Sequence, residues 1–187
     1  LVRAAGVIQR LADYRPPAKF HELWRQQVGI LDVDEETKSI MLDADRIDDW
    51  LDAHPVEGVA RHFYSCTHTT FSPNLAESDR QMKTNVIPDQ IDINVDIRTL
   101  PGESTAEVQA HLDSALGDLA DQVEVEIIMN DPASVSQMDN PLWDTIQKAV
   151  NQPFPSARLS PQFIVGFTDA RVYRNLGSVA YGAGLFS

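Results

Sequence analysis

Residues 84–103 read TNVIPDQIDINVDIRTLPGE, and this stretch decides how the rest of the chain is understood. Ile91, Ile93, Val95 and Ile97 alternate with Asp92, Asn94, Asp96 and Arg98. A period of two places the aliphatic side chains on one face of a strand and the polar ones on the other. Such a strand belongs to a sheet that is covered by helices on one side and open on the other. Asn85 precedes a turn at Val86-Ile87-Pro88, and Arg98 ends the strand on its polar face. Pro101-Gly102 then turns the chain, and Ser104-Thr105-Ala106-Glu107 has the spacing of a helix capping box. Val108, Leu112, Ala115, Leu116 and Leu119 form the apolar face of the helix that follows.

Further elements are predicted on either side. Residues 1–14 carry Leu1, Ala4, Ala5, Ile8, Leu11 and Ala12 at helical spacing, and Arg15-Pro16-Pro17 stops that helix. Residues 16–60 form a helical insert, with one short helix around Phe20, Leu23 and Trp24 and another over Asp43–Leu51. Asp45, Asp48 and Asp49 are expected on a solvated acidic face. Residues 61–72, RHFYSCTHTTFS, are rich in β-branched and aromatic residues and predict a strand. It would put His62, Tyr64, Cys66 and His68 on one face. Histidine and cysteine are zinc ligands, but the spacing matches no closed metal motif, and a buried thiol is the simpler reading of Cys66. Val123, Val125, Ile127 and Met129 alternate with glutamates and predict another one-sided strand. Together these elements predict an α+β domain over residues 1–133.

From about residue 134 the pattern changes. Asn140 caps a helix with Pro141 at its first position. Phe163-Ile164-Val165 and Ser178-Val179-Ala180-Tyr181 read as short, fully buried strands. A short helix that starts near Thr168-Asp169 and stops at Gly177 joins them. Residues 134–187 are therefore expected to be part of an α/β domain.

Composition narrows the function classes. The chain has 187 residues, 43% of them apolar, and a formal charge of −13. That charge argues against nucleic acid and against an anionic membrane surface, since both are bound by clustered Lys and Arg. No apolar run approaches the roughly 18 residues of a membrane span. Cys66 is the one cysteine, so an internal disulfide is impossible and a reducing, cytoplasmic compartment is the simpler expectation. Both ends of the sequence look cut.

Candidate binding groups are few. Asn85 could donate to a carbonyl or carboxylate, or bond the backbone of its own turn. Arg98 could hold a carboxylate in a bidentate fork, or form a surface pair with Asp96. Thr168 and Asp169 stand where a helix start can meet an anion, or simply cap that helix. No nucleophile–base pair and no metal-ligand motif is present.

Three segments resemble one family. Asn85-Val86-Ile87-Pro88 followed by Asp96-Ile97-Arg98 and Pro101-Gly102 is similar to the N-V-I-P and D-x-R-x-x-P-G pattern of the M20 metallopeptidases and amidohydrolases. Gly166-Phe167-Thr168-Asp169-Ala170-Arg171 resembles that family's G-G-T-D-A-R segment, with Phe167 in place of a glycine. Tyr181-Gly182-Ala183-Gly184-Leu185-Phe186 resembles the Y-G-x-G-L-F of its carboxypeptidase-like branch.

The resemblance implies a ferredoxin-like βαββαβ lid or dimerisation domain, here without its first strand, followed by a partial α/β catalytic segment. It implies a parent enzyme with two zinc ions that hydrolyses an amide bond of a peptide or N-acyl amino acid and forms a homodimer through the lid. By position, Asn85, Arg98, Thr168 and Asp169 would be substrate-binding. The metal-binding histidines and carboxylates, and the catalytic base, would lie upstream of Leu1 and downstream of Ser187. The chain alone is then expected to hold no zinc and to be inactive. The competing reading is a self-contained α+β interaction or ligand-sensing module without catalysis. An H-x-D and an E-E segment in the parent sequence would separate the two.

Overall fold

The structure is a computed structural model that describes residues 1–78 and 85–182. The first helix, α1 (Val2–Asp13), ends where Tyr14 turns extended ahead of Arg15-Pro16. Four short helices follow: α2 (Glu22–Ile30), α3 (Glu35–Met41), α4 (Ile47–Asp52) and α5 (Glu57–Thr67). Side chains start two of them. His21 Nδ1 accepts the N–H of Leu23, and Asp34 accepts the N–H of Thr37, each satisfying a donor left open at a helix start.

Strands β1 (Thr70–Glu77) and β2 (Asp92–Arg98) then pair antiparallel, with Thr70 opposite Arg98 and Phe71 opposite Ile97. The register slips between Pro73 and Leu75, so the proline, which has no N–H to donate, sits at an irregularity of the ladder. Helix α6 (Thr105–Leu116) begins with the full capping box between Ser104 and Glu107. A 3₁₀ turn (Gly117–Gln122), α7 (Pro141–Asn151) and α8 (Ala170–Asn175) complete the elements. The class is α+β. No helix among the described residues is long and apolar enough to cross a membrane.

Two cores hold the first 123 residues. In one, Ile93, Val95 and Ile97 of β2 and Phe71 of β1 lie under Val7 and Leu11 of α1 and Leu112, Ala115 and Leu116 of α6. This is the one-sided sheet that the alternation of residues 91–98 predicts. Ile91 falls before the strand and outside this cluster. In α1 the buried face runs through Val7 and Leu11; of the expected face Leu11 is buried and Ala4 and Ile8 are half-buried, while Leu1, Ala5 and Ala12 are exposed. The buried residues of the other core all come from α2–α5: Trp24, Val28, Met41, Ile47, Leu51 and Cys66, with Phe163 packed against them. Trp24 is fully buried and its indole N–H donates to the carbonyl of Met41 at 2.9 Å. The insert is thus a second helical core, richer in helices than the sequence patterns show.

Four strand expectations are corrected. Residues 61–67 are helix, not strand, and β1 starts only at Thr70. Helical spacing brings Phe63, Cys66 and Thr67 against the α2–α4 core, with the Phe63 ring edge-on to Trp24 at 5.3 Å. The Ser65 and Thr67 hydroxyls donate back to the carbonyls of Arg61 and Phe63. Tertiary packing outweighs the strand propensity of these residues, which is worth less than a core contact.

Residues 123–129 do not form a strand. Val123 touches the α1–α6 core, but Ile127, Ile128 and Met129 are 57, 78 and 72% exposed. A ladder needs a neighbour, and none pairs with them among the described residues. The same holds for residues 163–165 and 178–181, which are irregular, so the buried sheet expected there is absent. No residue of α7 or α8 is buried. Helix α7 nevertheless starts as expected, with Asn140 accepting two backbone N–H groups ahead of Pro141.

Candidate functional site

Arg98 ends β2 on the face turned away from the α1–α6 core. Its Nη2 lies 2.6 Å from Oδ2 of Asp96, two residues back on the same strand face. Both side chains are about two-fifths exposed (39 and 40%). The pair is therefore solvated, worth no more than about 1 kcal/mol. The simple ion-pair reading of Arg98 is real, and it leaves part of the guanidinium open.

A second contact involves the segment before α8. The Arg98 Cζ stands 5.0 Å from the centroid of the Phe167 ring. The Cζ of Arg171 stands 4.7 Å from the same centroid, and Arg171 Nε lies 2.9 Å from Oδ2 of Asp131, off the line of a good hydrogen bond. One ring thus attracts two cations, each with its own carboxylate. Arg98 is brought beside the residue that immediately precedes Thr168.

Thr168 and Asp169 open α8. The Thr168 carbonyl accepts the N–H of Arg171 at 3.3 Å, and that of Asp169 accepts the N–H of Val172 at 3.0 Å. The Asp169 side chain makes no cap hydrogen bond and is exposed. Asn85 is exposed in the turn ahead of β2, and no hydrogen bond joins it to Arg98. Six steps of strand separate Asp92 from Arg98, about 20 Å at the usual rise. Arg98 is therefore set against Phe167, next in the chain to Thr168 and Asp169, while Asn85 belongs to the segment entering the opposite end of β2. Ala183–Phe186 of the Y-G-x-G-L-F motif lie outside the described residues.

The candidate zinc face of His62, Cys66 and His68 is not formed, because these residues are on and after a helix. Cys66 Sγ is 3.8 Å from His62 Nε2, one turn away. Burial pushes its thiol up to about 12, which keeps it protonated and inert. His68 lies beyond the helix end, stacked on Tyr64 with centroids 4.1 Å apart and an interplanar angle of 5°. Its Nε2 faces Asp48 at 3.1 Å, off the line of a hydrogen bond. Burial holds its pKa below the ordinary value although Asp48 opposes this. Asp48, expected on a solvated face, is thus partnered with a buried imidazole. Among the described residues no group of three or more His, Cys, Asp or Glu side chains is arranged to hold a metal ion.

A second polar cluster ties the helical insert to the sheet domain. The Glu103 carboxylate is nearly buried (3% exposed) and lies 2.9 Å from Lys19 Nζ. It also accepts from the Thr69 hydroxyl and from the Leu100 N–H. Burial pushes its pKa up, but the hydrogen bonds from Thr69, Lys19 and Leu100 outweigh burial and leave it lowered. His111 Nε2 approaches the same carboxylate at 3.5 Å, and its Nδ1 meets the Tyr14 hydroxyl at 2.9 Å. His111, which stands among surface-type residues in the sequence, is therefore buried. Beside this cluster is a cleft of about 270 Å³ lined by Lys19, Phe20, His21, Leu100, Pro101 and Gly102, among others. The charged groups on its wall are occupied with one another.

Sequence reading missed Phe167, Arg171 and Asp131 as a unit. Arg98 and Asp131 are far in sequence from Phe167 and Arg171, and no local pattern announces a cation over a ring.

The comparisons with known proteins agree with the motifs. A family model described as the peptidase dimerisation domain of the M20 peptidases matches residues 2–124. A "Probable carboxypeptidase S-like 2" of Dictyostelium discoideum is 32% identical over 96 residues, which cover 50% of this chain and 18% of that protein. The match thus spans less than a fifth of the length of that relative. No solved structure matched the chain. On the family match, which takes in both cores and both strands, this chain belongs to the M20 peptidase family and carries its dimerisation domain.

Proposed function

We propose that the chain serves an M20-type, zinc-dependent enzyme that hydrolyses an amide bond of a peptide or an N-acyl amino acid. In this reading residues 1–133 are the lid and residues 134–187 adjoin it as catalytic-domain sequence. The lid is of the ferredoxin-like βαββαβ type without its first strand, and it self-associates into a homodimer. Arg98 holds a substrate carboxylate, Thr168 and Asp169 line the same site, and Asn85 donates its amide to a substrate oxygen. The single observation that supports this reading is the contact of Arg98 with Phe167, because it sets Arg98 against the residue that precedes Thr168-Asp169 in the chain.

The two zinc ions would supply an activated water and stabilise the oxyanion of amide hydrolysis. The described residues of this chain do not fit such a centre, so no step through the metal is assigned to them, and the chain alone is expected to be inactive. The chain has a single cysteine, and on this usage we place the protein in a reducing compartment, the cytoplasm.

The test is a screen of the whole protein against N-acetyl amino acids and dipeptides, each beside its C-terminal carboxamide. Turnover that prefers the free carboxylate, and that loses this preference in Arg98→Ala, supports the reading. No turnover of any member, or an Arg98→Ala protein with an unchanged preference, refutes it.

A further inference from the structure

The Phe167 ring is 53% exposed, so it adds little to any core. Its neighbours are two guanidiniums, at 5.0 Å for Arg98 and 4.7 Å for Arg171. Two like charges on one ring need compensation. Asp96 at 2.6 Å and Asp131 at 2.9 Å supply it. The result is a chain of alternating charge, Asp96–Arg98–ring–Arg171–Asp131, running from the end of β2 to the start of α8.

We propose that Phe167 is a positioning residue for Arg98. This rests on the reading that Arg98 holds a substrate carboxylate. An arginine side chain carries about 2 kcal/mol of rotamer entropy, and a bidentate fork binds only in one orientation. Asp96 alone anchors one edge of the guanidinium and leaves it free to swing about that edge. The ring face restrains the guanidinium from a second direction, and Arg171 fixes the ring in turn. Ordering the fork before substrate arrives lowers the cost of binding. At this exposure each cation–ring contact is weak, so the expected effect is a few-fold change in affinity.

The experiment compares Phe167→Leu, Phe167→Tyr and Arg98→Ala in the whole protein, using an N-acetyl amino acid and its carboxamide as probes. Phe167→Leu is expected to raise KM for the free carboxylate about two- to fivefold, with kcat and the carboxamide KM unchanged. Phe167→Tyr, which keeps the ring, restores the wild-type KM. If Phe167→Leu leaves KM unchanged while Arg98→Ala raises it, the positioning role is overturned and the carboxylate role of Arg98 stands. If Phe167→Leu raises both KM values equally, the ring is merely structural and the proposal also fails. If Arg98→Ala leaves both KM values unchanged, the reading beneath the proposal fails with it.

Discussion

The Nη2 of Arg98 lies 2.6 Å from Oδ2 of Asp96, so the proposed carboxylate-binding arginine already has a carboxylate within its own strand. A substrate carboxylate must share or displace it. Asp96→Asn removes the competing charge but keeps an amide oxygen that still accepts from the guanidinium and anchors its edge. An exposed pair is worth roughly 0.2–1 kcal/mol, so KM for free-carboxylate substrates should fall by at most about fivefold. The carboxamide analogue should not respond. Steady-state kinetics of the two probes checks this, and a raised KM for the carboxylate would show that the charge of Asp96 orders Arg98 more than it competes with substrate.

Glu103 joins the helical insert to the sheet domain through Lys19 and Thr69. Glu103→Gln keeps the shape but removes the charge from these hydrogen bonds, which are worth about 1.5–3 kcal/mol when one partner is ionised. A loss of that order should appear in the urea midpoint. Because the folded carboxyl has a lowered pKa, the folded state binds fewer protons than the unfolded one. Its contribution is therefore present above the ordinary carboxylate range and disappears as pH falls through the lower folded value. The variant should lose that acid-side slope.

His68 titrates in a different window. Burial lowers its pKa, with Asp48 opposing and Arg15 adding to the lowering. The unfolded chain takes up this proton first, so stability is full above about pH 6.5 and declines below it. The slope from this residue cannot exceed about 1.4 kcal/mol per pH unit. Urea unfolding at pH 7.5, 6 and 5 measures it. His68→Gln should be less stable at pH 7.5 but flatter across the series; an unchanged slope would mean that His68 does not report the transition.

Cys66 is fully buried and its thiol pKa is raised to about 12. The thiolate is the reactive form. Ellman's reagent should therefore label the folded chain slowly and the urea-unfolded chain at once. Rapid labelling in native buffer would place the thiol at the surface and contradict the α2–α5 core.

Local pattern and tertiary contact divide the chain in a consistent way. The sequence by itself determined β2, whose period of two survives because one face packs on α1 and α6. It determined the capping box of α6 and the Asn140-Pro141 start of α7, since capping uses residues three or fewer apart. The family was also legible, because its motifs are short and ordered along the chain. Only the tertiary structure decided that residues 61–67 are helix. Their propensity favours strand, but burial of Phe63, Cys66 and Thr67 against Trp24 and its neighbours is a non-local term that no window of sequence contains. It also decided that 123–129 and 178–181 are not strands, because an alternating or apolar segment becomes a strand only beside a partner. And it alone placed Arg98 on Phe167, 69 positions further along the chain, since attraction between a cation and a ring leaves no trace in sequence spacing.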